Sequence, residues 1–299
     1  MLRSFQIGKL FGIPLYLHST LLLLPALALL LNSGSGLGSA LFLLLYLIAL
    51  FGCVVLHELG HALMARYYGI RTESITLYPI GGVAQLQRMS EKPGQEICIA
   101  LAGPAVNLVI AGLLAPVALL ALPMLLQSDA PLHPATHLAG LLGQLAGMLC
   151  LGNVGLMLFN LLPCFPMDGG RVLRALLTFA FGRLRATEIA AGVGLFMAVL
   201  IAASAIILPV VNNTPINPMP IVLAVFVLLA GQFELWGVRR LEARRRAAQM
   251  AQAIPEAEWV PVPVEPRSHP DVPFSGVAWD QRSRVWVRWI NGQPVGYWG

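Results

Sequence analysis

LFLLLYLIALFGCVVLHELGHALMARYY, residues 41–68, runs without a charge from Leu41 to Leu56 and then presents His57, Glu58 and His61 before the first basic residue, Arg66. An apolar run of this length reads as a membrane-spanning helix. Ionisable side chains at the end of such a run are costly, on the order of 2 kcal/mol or more for a charge at mid-membrane, so they mark a functional site. The spacing HELGH gives that site a chemistry. Residues four apart share a helix face, so both imidazoles can reach one metal ion. Glu58 is turned by about 100° from His57, towards a water and away from the metal. Two nitrogen ligands and a neighbouring base form the arrangement used by zinc hydrolases.

The remainder of the chain agrees with a membrane setting. It has 299 residues, 57% hydrophobic and 11% charged, with mean hydropathy +0.75. Globular domains carry about 25% charged residues, so a soluble enzyme is excluded and a polytopic all-α membrane protein is expected. Six apolar segments approach spanning length: 15–32, 39–67, 95–126, 138–162, 186–209 and 219–237. The third is long enough to expect tilt, or a kink at Pro104 or Pro116. The four cysteines lie in or beside these segments without CxxC spacing and read as buried apolar residues. No cleaved leader is expected from the polar start MLRSFQIGK.

With both termini cytoplasmic, the outer loops fall at about 33–38, 127–137 and 210–218, and none contains Lys or Arg. All 19 basic residues then lie on the cytoplasmic side, which is the positive-inside pattern. The net charge of +5 is explained by anchoring to anionic lipid, and no nucleic-acid partner is expected. Counting back from Arg66, the two histidines lie roughly 8–14 Å inside the cytoplasmic boundary. Residues 68–94, with β-formers around Pro79, Gly81 and Gly82, are expected to make a short β-hairpin or re-entrant loop beside the metal.

Two histidines need a third protein ligand. Of the four aspartates, Asp129 falls on the opposite face and Asp271 and Asp280 lie in the tail, whereas Asp168 follows the fourth span at the right depth. It sits in FNLLPCFPMDGGR, where Pro163 and Pro166 deny regular helix and Gly169 and Gly170 allow close backbone approach. Two readings stand. Asp168 caps a helix starting near Arg171, or it is a metal ligand, which the HELGH at the same depth favours.

The sequence divides into residues 1–237 in the membrane, a basic juxtamembrane helix at 238–253, a Pro-rich linker at 254–275 and a short β-rich tail at 276–299. Alternation around Trp286 and the turn Asn291-Gly292 predict two or three strands in that tail. The tail resembles, over some 24 residues, the sheet of the plant ethylene-response-factor type of DNA-binding domain, without its helix. Protein docking or packing on the membrane surface is therefore expected of it.

HELGH (57–61), PIGGVA (79–84), AGPAVN (102–107) and NLLPCFPMDGGR (160–171) together resemble the site-2 protease family of intramembrane zinc metalloproteases. The opening IGKLFGIPLYLH (7–18) is similar to the branch related to the sporulation-factor proteases. The resemblance covers about residues 5–235. It implies Zn2+ held by His57, His61 and Asp168, Glu58 as catalytic base, Asn160 as a polar catalytic residue beside the site, and a three-helix catalytic core with flanking helices. Asn107 could equally serve a helix–helix hydrogen bond. The implied activity is that of a zinc metalloendopeptidase cutting transmembrane protein substrates, in a bacterial inner or cell membrane. Neither a PDZ domain nor cystathionine-synthase-type repeats are visible. The rivals are a catalytically silent binding or escort protein and a metal transporter. Substrate identity and oligomeric state are not readable from the sequence.

Overall fold

A computed structural model describes residues 4–31, 34, 36–79, 81–88, 90, 92–126, 134–215, 217–253, 275–280 and 283–298. The expected outer loop around Asp129 and nearly all of the Pro-rich linker, with Asp271, lie outside the described residues. Contacts divide the chain into two compact units, Met1–Glu242 and Ala243–Gly299.

In the first unit, strands β1 (Ser4–Leu10) and β2 (Ile13–His18) precede helices α1 (Leu23–Leu31) and α2 (Gly36–Tyr67). Strands β3 (Thr72–Tyr78) and β4 (Gly81–Leu86) follow, then α3 (Pro93–Leu126), α4 (Pro134–Asn160), α5 (Asp168–Phe181), α6 (Arg183–Asn212) and α7 (Met219–Ala253). Among the described residues five helices, α2, α3, α4, α6 and α7, are long and apolar enough to cross a membrane. Helix α3 is unbroken through Pro104 and Pro116. The first expected segment, 15–32, supplies only a shorter apolar stretch, Ser19–Leu30, because its start is taken up by β2. Large apolar side chains such as Leu120, Leu151, Phe196 and Phe233 stand exposed on the long helices, as lipid-facing surfaces do.

The expected hairpin is β3–β4, and it belongs to a larger sheet than the sequence suggested. The order is β1-β2-β3-β4, with β2 parallel to β3 and the other pairs antiparallel. Phe11 and Gly12, both at positive φ, turn β1 into β2. One face of the sheet is apolar. Ile13, Leu15, Ile75 and Leu77 pack with Val54, Val55, Leu59 and Ala62 of α2, so the sheet lies on the helical turns that carry the histidines. Each such buried aliphatic contributes on the order of 1.5–3 kcal/mol.

Helices α2 and α3 approach closely at small residues. A methyl group on Gly60 would stand 2.8 Å from the Ala102 carbonyl oxygen. Between α4 and α5 the chain folds back tightly, with a cis peptide at Phe165–Pro166. A methyl on Gly169 would lie 2.2 Å from the Leu161 carbonyl oxygen, and one on Gly170 2.6 Å from the Cys164 carbonyl carbon. Only glycines let this loop close over the start of α5.

Arg174 of α5 is fully buried. It donates to Glu96 of α3 and Glu234 of α7, with its guanidinium 5.2 Å from the Phe165 ring centre. Arg174→Met should cost about 3–5 kcal/mol, because it strands two carboxylates that burial has partly desolvated. The measurement is thermal unfolding of the purified protein in detergent. An unchanged midpoint would mean that Arg183, 3.9 Å from Glu96, takes over the pairing.

The second unit holds the end of α7 and a three-stranded antiparallel sheet, β5 (Gly276–Asp280), β6 (Val285–Ile290) and β7 (Gln293–Trp298). Asn291 and Gly292, both at positive φ, form the turn that the dipeptide predicts. The basic stretch 238–253 continues the last apolar helix without a break.

Candidate metal centre

The last third of α2 places His57 and His61 one turn apart, both buried. Asp168 is the first residue of α5 and is also buried. The helix begins three residues earlier than a start near Arg171 would require. Its N-cap is Met167, which makes no side-chain capping bond, so the Asp168 carboxylate is not spent on the helix end. It points instead at the histidines: Oδ2 is 3.3 Å from His57 Nε2 and 3.1 Å from His61 Nε2. The two Nε2 atoms are 3.1 Å apart. Arg171, three residues further on, brings a cation near this carboxylate.

These three distances test whether a metal fits. Ligands about 2.0–2.1 Å from a tetrahedral zinc ion stand about 3.3 Å apart, which the triangle matches closely. The donor set agrees. His61 Nδ1–H donates to the Ile99 carbonyl at 2.7 Å, so Nε2 of the neutral ring carries the lone pair. A carboxylate and two imidazole nitrogens converging in a buried place call for a cation between them. Among the described residues His57, His61 and Asp168 form the one group of histidines, cysteines and acids close enough to share a metal ion.

Gly103, in the AGPAVN stretch of α3, makes room for this trio. A methyl there would lie 2.3 Å from His61 Nε2 and 2.7 Å from His57 Cε1. Gly103→Ala should therefore push both rings from their places and lower zinc stoichiometry while the long helices remain. Full zinc content in that variant, measured by elemental analysis, would show that α3 yields instead.

Glu58 points elsewhere. Its Oε2 accepts a hydrogen bond from the Ala84 N–H of β4 at 3.1 Å, and a methyl on Gly82 would stand 2.5 Å from Glu58 Cγ. Ala84 lies on β4, an edge strand of the sheet, and gives its N–H to Glu58. The role of Ala84 is invisible in the sequence, because a main-chain N–H has no side-chain signature. The glycine-rich PIGGVA was its only signal. Asn160 ends α4, half-buried, and no hydrogen bond joins its amide to the trio among the described residues. Asn107 is fully buried, with no hydrogen-bond partner for its amide among the described residues.

Comparison with known proteins agrees with this geometry. Residues 45–129 and 132–202 match the model of peptidase family M50. A zinc metalloprotease of Methanocaldococcus jannaschii is 36% identical over 66% of this chain and 52% of its own length. A putative zinc metalloprotease of Synechocystis is 38% identical over 59% of this chain and 45% of its own. Stage IV sporulation protein FB of Bacillus subtilis is 28% identical over 42% of this chain and 38% of its own. The chain thus spans about half the length, or less, of these relatives. The solved site-2 protease of M. jannaschii superposes with a TM-score of 0.52 at 31% identity, over 78% of this chain and 95% of that one. A matched region that runs from the histidine helix through Asp168, together with the shared fold, places the chain in peptidase family M50, the site-2 protease family.

Proposed function

We propose that this protein is an intramembrane zinc metalloprotease that hydrolyses peptide bonds within or near the transmembrane helices of membrane-protein substrates. The observation that carries the reading is the buried triangle of His57, His61 and Asp168, with Glu58 next to it in sequence on a membrane-length helix. These three residues would hold zinc. When bound, zinc polarises a carbonyl and brings the pKa of water to about 7. Glu58 acts as general base, taking the proton of the attacking water and passing it to the leaving amine. The Ala84 N–H and the close approach of Gly82 keep its carboxylate in one orientation. Asn160, at the mouth of α4, is assigned to stabilising the developing oxyanion.

A transmembrane helix hides its carbonyls, so a substrate must unwind locally before it is cut. Strand β4 is the edge of its sheet, and beyond the Ala84 N–H that Glu58 takes, an unwound segment can pair with its remaining outer main-chain groups in extended form. We also place the site near the cytoplasmic side of a bacterial cell membrane, with both termini cytoplasmic. The sheet supports this, since it joins residues 4–18 to the hairpin that follows the basic end of α2. The Ser19–Leu31 stretch, shorter than the five long helices, lies between the sheet and α2 in the chain, and two cytoplasmic termini require that it cross as well.

The test is a mass-spectrometric comparison of protein termini in membranes from cells expressing wild type or Glu58→Gln. New termini inside spans, seen only with wild type, establish the activity and name the substrates. Equal termini with equal expression would favour the escort reading.

A further inference from the structure

Where α2 ends, a cleft of about 590 Å3 opens between the β1–β2 turn and the start of β3. Arg66 and Arg71 stand in its walls, with Phe11, Ile13, Ala62 and Thr72. Both arginines are exposed, and neither has a carboxylate partner among the described residues. Arg66 donates to the Phe11 carbonyl at 3.2 Å, which holds the β1–β2 turn over the cleft and uses one of five guanidinium N–H groups. Two like charges sharing one concavity repel unless an anion lies between them. The Thr72 hydroxyl is buried and has no hydrogen-bond partner among the described residues, so turning it towards an anion would cost none of the bonds seen there. The remaining wall is apolar, and Phe11 is 66% exposed. Cationic and apolar groups thus meet at the basic end of a membrane-length helix, where headgroups and acyl chains meet.

The geometry points to a binding site for one phosphate-bearing anion between Arg66 and Arg71, with Thr72 as a further donor. Guanidinium groups bind phosphate through paired, charge-assisted hydrogen bonds. The ligand is either the headgroup of an anionic lipid, whose chains would lie against Phe11 and Ile13, or a soluble phosphate ester. The site is separate from the metal centre. It touches the same helix at Ala62, the residue after His61, so an occupant would brace the end of the helix that carries both histidines.

The test uses the full chain, purified in detergent and stripped of lipid, titrated in native mass spectrometry with phosphatidylglycerol, phosphatidylcholine and glycerol phosphate. One phosphatidylglycerol per chain is expected. Its affinity should fall about tenfold or more in Arg71→Gln, the loss of one charged, bidentate contact. Thr72→Val keeps the side-chain shape and should weaken binding severalfold, which provides a second reading should Arg71→Gln fold poorly. Phosphatidylcholine, whose choline cancels the charge, should bind at least about tenfold less tightly. Glycerol phosphate binding as tightly as phosphatidylglycerol, with the same dependence on Arg71, assigns the site to a soluble ester. Equal phosphatidylglycerol binding by wild type, Arg71→Gln and Thr72→Val overturns the proposal and leaves only diffuse attraction between a basic surface and lipid.

Discussion

Glu58→Gln is expected to keep its zinc and lose turnover by about 10²–10⁴-fold, the usual contribution of a positioned general base. That range corresponds to roughly 3–5 kcal/mol of barrier. The reason that zinc should stay is geometric. The metal triangle is built from His57, His61 and Asp168, and none of their mutual distances passes through Glu58. The reason that the fold should stay is the Ala84 N–H, which needs only an acceptor oxygen; a glutamine carbonyl supplies one in nearly the same place. What the amide cannot do is take a proton near neutral pH. Zinc stoichiometry by elemental analysis and cleavage of a single-span substrate in proteoliposomes separate the two effects. Retained turnover with zinc in place would remove Glu58 from the base role. Lost zinc would mean that the β4 contact positions the histidine turn, a structural task the sequence does not suggest.

The parts of this site that were legible in the sequence are those fixed by covalent spacing. His57 and His61 share a face because any helix places i and i+4 together. Asp168 was legible because the chain has few aspartates and only one lies beside a broken segment at the right depth. The parts that were not legible depend on packing between distant segments. Gly103 matters because α3 passes within a methyl's width of both rings, and Ala84 matters because β4 ends up on the far side of Glu58. The first strands were hidden for another reason. Ile13, Leu15 and Leu17 run into Leu21–Leu31, and a hydropathy window cannot separate a strand that buries one face on α2 from the start of a span. The turn at Phe11 and Gly12 was the local signal, and its meaning depends on a partner strand some 60 residues away.

Asp168→Ala is expected to abolish zinc binding, with affinity falling well over about 100-fold. Loss of an outer-shell partner alone costs about 10–100-fold, and Asp168 would supply one of three ligand atoms. The substitution is a clean one. The α5 N-cap is Met167 and uses no side-chain bond, so alanine leaves the helix start as it is. Alanine also favours helix, and the lost charge–dipole term at the first turn is only about 0.3–1 kcal/mol. Gly169 and Gly170, which let the 161–167 loop close over α5, are untouched. Thermal unfolding of the zinc-free variant should fall only by what the Asp168 contacts with His57 and His61 contribute, leaving it folded, while zinc stoichiometry falls towards zero. Arg171→Gln provides the contrast, since it removes the neighbouring cation and leaves all three ligand atoms, and it should retain zinc. Asp168→Ala with full zinc content would show that the carboxylate only lies beside the histidines. A joint loss of zinc and of folding would assign Asp168 to closing the α4–α5 loop. Loss of zinc alone, with Arg171→Gln loaded, leaves ligation as the one role that accounts for a buried carboxylate aimed at two imidazole nitrogens.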